Sequence, residues 1–150
     1  MKKVLLICFL VGGMITASSA QELGLRFGDV TGGNVALDAI FSTGKFNRIH
    51  ADVSAGHGGL GVDALWDFVY LPFEEFGEPG FYWYAGAGPG LYINDPIWIS
   101  AMAEIGLEYR IADVPLSVSA DWRPTLTLVQ TTDLYFGLFG LNVRYIFDGE

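Results

Sequence analysis

The stretch that decides the fold is Tyr135-Phe136-Gly137-Leu138-Phe139-Gly140-Leu141-Asn142-Val143-Arg144-Tyr145-Ile146-Phe147. Taken alternately, Tyr135, Gly137, Phe139, Leu141, Val143, Tyr145 and Phe147 share one face. Phe136, Leu138, Gly140, Asn142, Arg144 and Ile146 share the other. A period of two is that of a β-strand, whose successive side chains point to opposite sides of the sheet. One face is apolar and ends in aromatics; the other carries glycine, asparagine and arginine. That contrast suits a strand with lipid on one side and a narrow polar lumen on the other.

The same alternation recurs upstream, cut by turn residues into eight segments in all. Leu23, Leu25 and Phe27 alternate with Gly24, Arg26 and Gly28, and Val35, Leu37, Ala39 and Phe41 with Asn34, Asp38 and Ser42. Ile49, Ala51, Val53 and Ala55 alternate with Arg48, His50, Asp52 and Ser54. Leu60, Val62, Ala64, Trp66, Phe68 and Tyr70 alternate with Gly61, Asp63 and Asp67. After the longest break, residues 72–80, Phe81, Trp83, Ala85 and Ala87 alternate with Tyr82, Tyr84, Gly86, Gly88 and Gly90. Ile97, Ile99, Ala101, Ala103, Ile105, Leu107 and Tyr109 follow, interleaved with Ser100, Glu104, Gly106, Glu108 and Arg110. Leu116, Val118, Ala120 and Trp122 then alternate with Ser117, Ser119, Asp121 and Arg123. Pro89 predicts a bulge or break in the fifth segment. Residues 124–132 are expected to be a connection into the last strand. An even number of meandering strands closes into a barrel without exposed edges, and eight strands leave an interior that side chains fill.

The chain begins as an exported protein does. Met1-Lys2-Lys3 is a positive start, residues 4–15 are mostly apolar, and Ser18-Ser19-Ala20 are the small residues of a cleavage site. Residues 1–20 are read as a cleaved signal peptide, too short for a span of ~20 apolar residues, and residues 21–150 as the barrel. Cys8, the single cysteine, lies in the leader, so no disulfide or thiolate site is expected after cleavage. Losing Lys2 and Lys3 takes the formal charge from −9 to −11. That acidity argues against nucleic acid as a partner, because phosphate binding needs clustered lysine and arginine.

Alternation alone does not say which face is outside; a soluble lipocalin-like barrel alternates with its apolar face inward. Two features favour the inverted arrangement. The polar face is rich in glycine (Gly24, Gly28, Gly61, Gly86, Gly88, Gly90, Gly106 and Gly140), which a solvated face has no need of and a crowded lumen does. The aromatics of the apolar face also gather near strand ends, as interfacial girdles do: Phe41, Trp66, Phe68, Tyr70, Phe81, Trp83, Tyr109, Tyr145 and Phe147 toward one rim, Trp122 and Tyr135 toward the other.

On this register Arg26, Asp38, Arg48, His50, Asp52, Asp63, Asp67, Glu104, Glu108, Arg110, Asp121, Arg123 and Arg144 point into the lumen. Buried charges persist when paired, and the planar arginine fork meets carboxylates bidentately. The expectation is a plug of ion pairs; a narrow pore or ion path is the alternative. His50, Asp52 and Ser54 share a face, but at ~3.3 Å per residue His50 and Ser54 stand on the order of 13 Å apart, too far for a base and its nucleophile. No catalytic residue is assigned. Two histidines without close spacing do not predict a metal site, and no cofactor is expected. Gly86-Ala87-Gly88-Pro89-Gly90 lacks the Lys-Ser/Thr and helix of a phosphate loop.

The leader, the meander, Tyr82 to Gly90, Gly106-Leu107-Glu108-Tyr109-Arg110 and Arg144-Tyr145-Ile146-Phe147 together resemble the small OmpA/OmpX-type outer-membrane β-barrels of Gram-negative envelopes. The resemblance implies an all-β fold, an eight-stranded antiparallel up-and-down transmembrane β-barrel, in the outer membrane. It implies membrane lipid and the barrel-assembly machinery as partners, the latter reading Phe139, Leu141, Val143, Tyr145 and Phe147, and a monomeric state. Here Asp148-Gly149-Glu150 follow the terminal aromatic. The expected role is structural, in envelope integrity. A pore, a lipid-modifying barrel enzyme and a soluble periplasmic ligand-binding barrel are the alternatives.

Overall fold

A computed structural model describes residues 21–147; the leader and Asp148-Gly149-Glu150 lie outside the described residues. The strands are β1 (Glu22–Val30), β2 (Gly33–Gly44), β3 (Asn47–Gly56), β4 (Gly59–Pro72), β5 (Phe81–Ile93), β6 (Trp98–Arg110), β7 (Leu116–Trp122), β8 (Thr125–Thr127), β9 (Asp133–Tyr135) and β10 (Phe139–Ile146). β7 and β8 are two parts of one wall strand: both pair with β6 in a single register, Ile105 opposite Trp122 and Met102 opposite Thr125. Arg123 and Pro124 interrupt it, and a proline has no N–H to give the ladder. β9 and β10 form the last wall strand, and β10 pairs back onto β1, from Gly28 opposite Gly140 to Glu22 opposite Ile146. The result is a closed, eight-stranded, antiparallel up-and-down barrel.

Closure sorts the side chains by parity. Leu25, Phe27, Leu37, Ile49, Trp66, Phe68, Ile105, Val118, Phe139, Leu141, Val143, Tyr145 and Phe147 stand exposed on the outer wall. Arg26, Asp38, Asp52, Glu104, Asn142 and Arg144 are buried inside it, with Ile40, Leu65 and Met102 among them. The lumen is crowded enough to dictate glycine. A Cβ on Gly106 would fall within the Tyr84 ring, and one on Gly140 within the Arg26 guanidinium.

Bulges correct the sequence reading in two places, because one extra residue turns everything beyond it to the opposite face. In β4 the register slips between Asp67 and Val69, so Tyr70 stands opposite Tyr84 and points into the barrel rather than toward the outer rim. In the last strand, Phe139 stands opposite Trp122 but Tyr135 opposite Thr125, one residue out of step. Residues 136–138 therefore break the strand. Tyr135 shares the side of the ladder that holds the buried Thr125, and Phe136 is exposed rather than lumenal. A third slip, at Gly28 with φ 118°, turns Val30 inward at the end of β1.

Two further expectations are corrected. Pro89 does not break β5, which pairs with β6 in one register from Phe81 opposite Tyr109 to Tyr92 opposite Trp98. The ladder to β4 resumes unshifted on either side of Gly88 and Pro89, Asp63 opposite Gly90 and Trp66 opposite Ala87. Residues 124–132 are not all connection either, because Thr125–Thr127 continues the wall and pairs with β9.

If Tyr84 needs the space above Gly106, Gly106→Val forces an overpacked lumen and costs about 1–3 kcal/mol. Ala103→Val, on the exposed face of the same strand, should stay within about 0.5 kcal/mol of the parent. Urea midpoints of the folded proteins check this; equal midpoints would mean the lumen has room to spare.

Candidate functional site

The strand ladders lay down the lumen charges in rows. Directly opposed residues of antiparallel strands share a face, so Arg48 of β3 faces Asp67 of β4, and Arg26 of β1 faces Asn142 of β10. One row is all acid: Asp38, Asp52 and Asp63 stand opposite one another on β2, β3 and β4. Like charges in register are destabilising unless something reaches in to separate them. Arginines from across the bore do so. Arg144 of β10 donates from Nη1 to Asp38 Oδ2 at 2.9 Å, and Arg123 donates from Nη1 to Asp52 Oδ2.

The network has a dense centre. Glu108 accepts from Arg48 Nη1 (2.8 Å), Arg144 Nη2 (2.7 Å) and the Tyr70 hydroxyl (2.8 Å). Arg48 also donates from Nε to Asp67 Oδ2 at 2.8 Å, and its guanidinium lies over the Tyr70 and Tyr84 rings, 4.2 and 4.6 Å from their centroids. At the end of the barrel that holds the termini, Glu22 gathers Arg110, Ser117 and Arg144. Toward the opposite end, Asp121 accepts from Arg26, from the Tyr84 hydroxyl at 3.0 Å and from Asn142 at 2.7 Å. Asp63 accepts from the Thr31 hydroxyl at 2.7 Å.

His50 sits at the middle, wholly buried. Its Nε2 is 2.9 Å from Asp38 Oδ1 and its Nδ1 is 3.2 Å from Glu104 Oε1. Arg123 Nη2 lies 3.2 Å from both ring nitrogens, a position over the ring face rather than in its plane, while its Nε donates to Glu104 Oε2 at 2.9 Å.

Of the thirteen lumen charges read from the sequence, twelve are buried; Arg110 is 35% exposed at the rim. The outer-wall aromatics Phe41, Trp66, Phe68, Phe81, Trp83, Tyr109, Tyr145 and Phe147 lie toward the end that holds the termini, and Trp122 toward the other. Trp122 donates its indole N–H to the Phe136 carbonyl and stacks near Phe136 and Phe139. The five assembly-signal positions, Phe139 to Phe147 alternately, all face outward. Ser54 turns away to the Thr31 carbonyl, while His50 and Asp52 both meet Arg123.

The reading missed several network members. Glu22 has the parity of Gly24 and Arg26, so counting one step further back would have found it. Tyr84 and Asn142 lie on the lumen face of the sequence reading, but their ties to Asp121 need the strand register: Asn142 is its diagonal neighbour across the β10–β7 pair, and Tyr84 reaches it over Gly106. Tyr70 needed the β4 bulge. The sequence reading foresaw no metal site, yet the fold brings acids and His50 together twice, as Asp38–His50–Asp52 and as His50–Asp67–Glu104. No family model, curated protein or solved structure matches the chain.

Breaking one side of such a pair strands buried charge. Arg123→Met leaves Asp52 and Glu104 without their guanidinium and should cost about 3–5 kcal/mol. Arg110→Met, at the solvated rim, should cost about 1 kcal/mol or less. Urea unfolding of the two variants side by side checks the ordering, and equal losses would contradict it.

Proposed function

We propose that the chain is an integral outer-membrane β-barrel of the small OmpA/OmpX type, exported by its leader, with a lumen filled by side chains and a structural role in the envelope. The observation that carries this is the inverted partition. Charge is sealed inside, while large apolar side chains cover the outer wall on strand after strand. Monomeric soluble proteins rarely expose contiguous apolar patches beyond a few hundred Å². A closed barrel satisfies its backbone hydrogen bonds internally and so can place such a wall in hydrocarbon. The outward aromatics near both rims suit the two interfaces of a bilayer. No described helix is long and apolar enough to cross a membrane, and a barrel crosses with strands instead.

The side chains favour a plug over a pore. Arg26, Asp38, Arg48, His50, Glu108, Arg123 and Arg144 are each at most 2% exposed and hold one another across the bore. The barrel wall is then a lipid-facing girdle around a rigid ionic strut. The assembly machinery would read the outward Phe139, Leu141, Val143, Tyr145 and Phe147.

The test is gel mobility of the chain without residues 1–20, folded in detergent micelles, boiled against unboiled, followed by conductance in a planar bilayer. The expected result is a heat-dependent mobility shift with no unitary current. A folded monomer in plain buffer without detergent would overturn the membrane reading. Steady unitary currents would replace the plug with a pore.

A further inference from the structure

We propose that Asp67 and Glu104 share one proton at mid-barrel, and that this proton helps set the lumen plug, whose hold therefore weakens as pH rises. The inference rests on the closed, charged lumen and not on the membrane reading.

The geometry begins in the ladders. Asp67 of β4, Gly86 of β5 and Glu104 of β6 stand opposite one another in one row. Directly opposed residues share a face, so the two acids flank a position with no side chain. Their carboxyls meet within hydrogen-bond distance, and both residues are buried. Two carboxylate ions only accept, so their contact in a dry interior is repulsive. One proton turns that contact into an O–H···O⁻ hydrogen bond, which is of the short, charge-assisted kind.

The neighbours decide which acid carries the proton. Glu104 meets a cation on each oxygen: Oε2 accepts from Arg123 Nε at 2.9 Å, and Oε1 lies 3.2 Å from His50 Nδ1. Asp67 meets one guanidinium, that of Arg48, whose Nε donates to Oδ2 at 2.8 Å. Arg48 is at the same time committed to Glu108 through Nη1. Asp67 Oδ1 is left without a donor. Asp38 Oδ1 and Asp52 Oδ1 also lack a hydrogen bond, but their settings differ. Asp38 Oδ1 lies 2.9 Å from His50 Nε2, and Asp52 is held by Arg123. Asp67 is in contact with another acid instead. A proton on Asp67 Oδ1, donated to Glu104, gives that oxygen its hydrogen bond and leaves Oδ2 to Arg48.

The charge count of the lumen calls for such a proton. Eight buried acids face five arginines and His50, an excess of two negative charges even with the imidazole charged. Uncompensated charge in a low-polarity interior neutralises itself by taking up protons. Asp67 removes one of the two.

The groups that face Asp67 set the consequence. β3 presents Arg48 and His50, and β6 presents Glu104. β5 presents Gly86, which cannot titrate, and the next lumen side chain on β5, Tyr84, turns its hydroxyl to Asp121. Arg123 stands behind Glu104. Loss of the proton sets Asp67 against Glu104 as like charges, between β4 and β6. An unfolded aspartate has released its proton above pH ~4. The folded chain then holds one proton more than the unfolded chain, so the stability this pair supplies falls as pH rises.

The experiment uses the full chain, expressed with its leader and purified folded in mild detergent, with aspartate carboxyl carbons labelled for NMR. The expected wild-type spectrum at pH 7 contains a protonated aspartate carboxyl that is missing from Asp67→Asn. Urea unfolding from pH 5 to 7 is the second readout. His50 contributes alike to both proteins. Relative to Asp67→Asn, the wild-type unfolding constant should rise tenfold per pH unit, the signature of one proton. At pH 7 Asp67→Asn should be at least as stable as wild type. Its amide is also neutral, donates to Glu104 and leaves an oxygen for Arg48. Wild type with every aspartate ionised at pH 7 would overturn the proposal, as would a protonated signal that survives in Asp67→Asn. So would parallel pH profiles. An Asp67→Asn chain that is less stable at pH 7, or does not fold, would overturn it too, because Arg48 would then require a charged Asp67.

Discussion

The rest of this structure depends on the pairing of arginine with carboxylate inside a closed wall. A buried charge in a medium of low polarity is tolerated only when a partner of opposite sign and good geometry lies against it. Arg48, Arg123 and Arg144 each bridge two or more acids drawn from different strands. Their planar forks act as spokes from one side of the bore to the other. The acidic row Asp38–Asp52–Asp63 can stand in register only because those spokes separate it. Glycine at Gly106 and Gly140 follows from the same crowding, since Tyr84 and Arg26 fill the volume a side chain there would need.

The wall's other face follows from the first. A strand whose alternate residues feed a charged interior has the others left for the outside, and on this chain those are leucine, isoleucine, valine and aromatics. A barrel of this kind is a soluble protein turned inside out. On the proposed reading, hydrocarbon takes the place of the missing apolar core and the ion-pair network takes the place of packing. Stability then rests on a few long-range charge contacts, such as Arg26 with Asp121 and Arg144 with Glu22, that link the first strand to the last two.

Much of this was legible because alternation is written in single residues. The parity of Leu141, Asn142, Val143, Arg144 and Tyr145 needs no knowledge of the fold, and the same holds along β3 and β6. What was not legible was where the parity changes. Nothing at Asp67-Phe68-Val69 announces a bulge, yet that slip moves Tyr70 from the outer wall onto Glu108. Pro89 misled in the opposite direction, since a missing N–H costs a ladder bond without shifting the register. The partners of each lumen charge were equally hidden. Only the closed barrel brings Glu104 against His50 and Asp67.

The central claim is that the apolar wall faces acyl chains while the charged lumen stays dry. The most direct measurement is fluorescence of a chain whose sole tryptophan is Trp66, on the outer wall and 55% exposed, reconstituted in vesicles whose lipids carry brominated acyl chains. The account predicts strong quenching by the bromines and little by aqueous acrylamide. Strong acrylamide quenching with no effect of bromine would contradict it, because Trp66 would then face water.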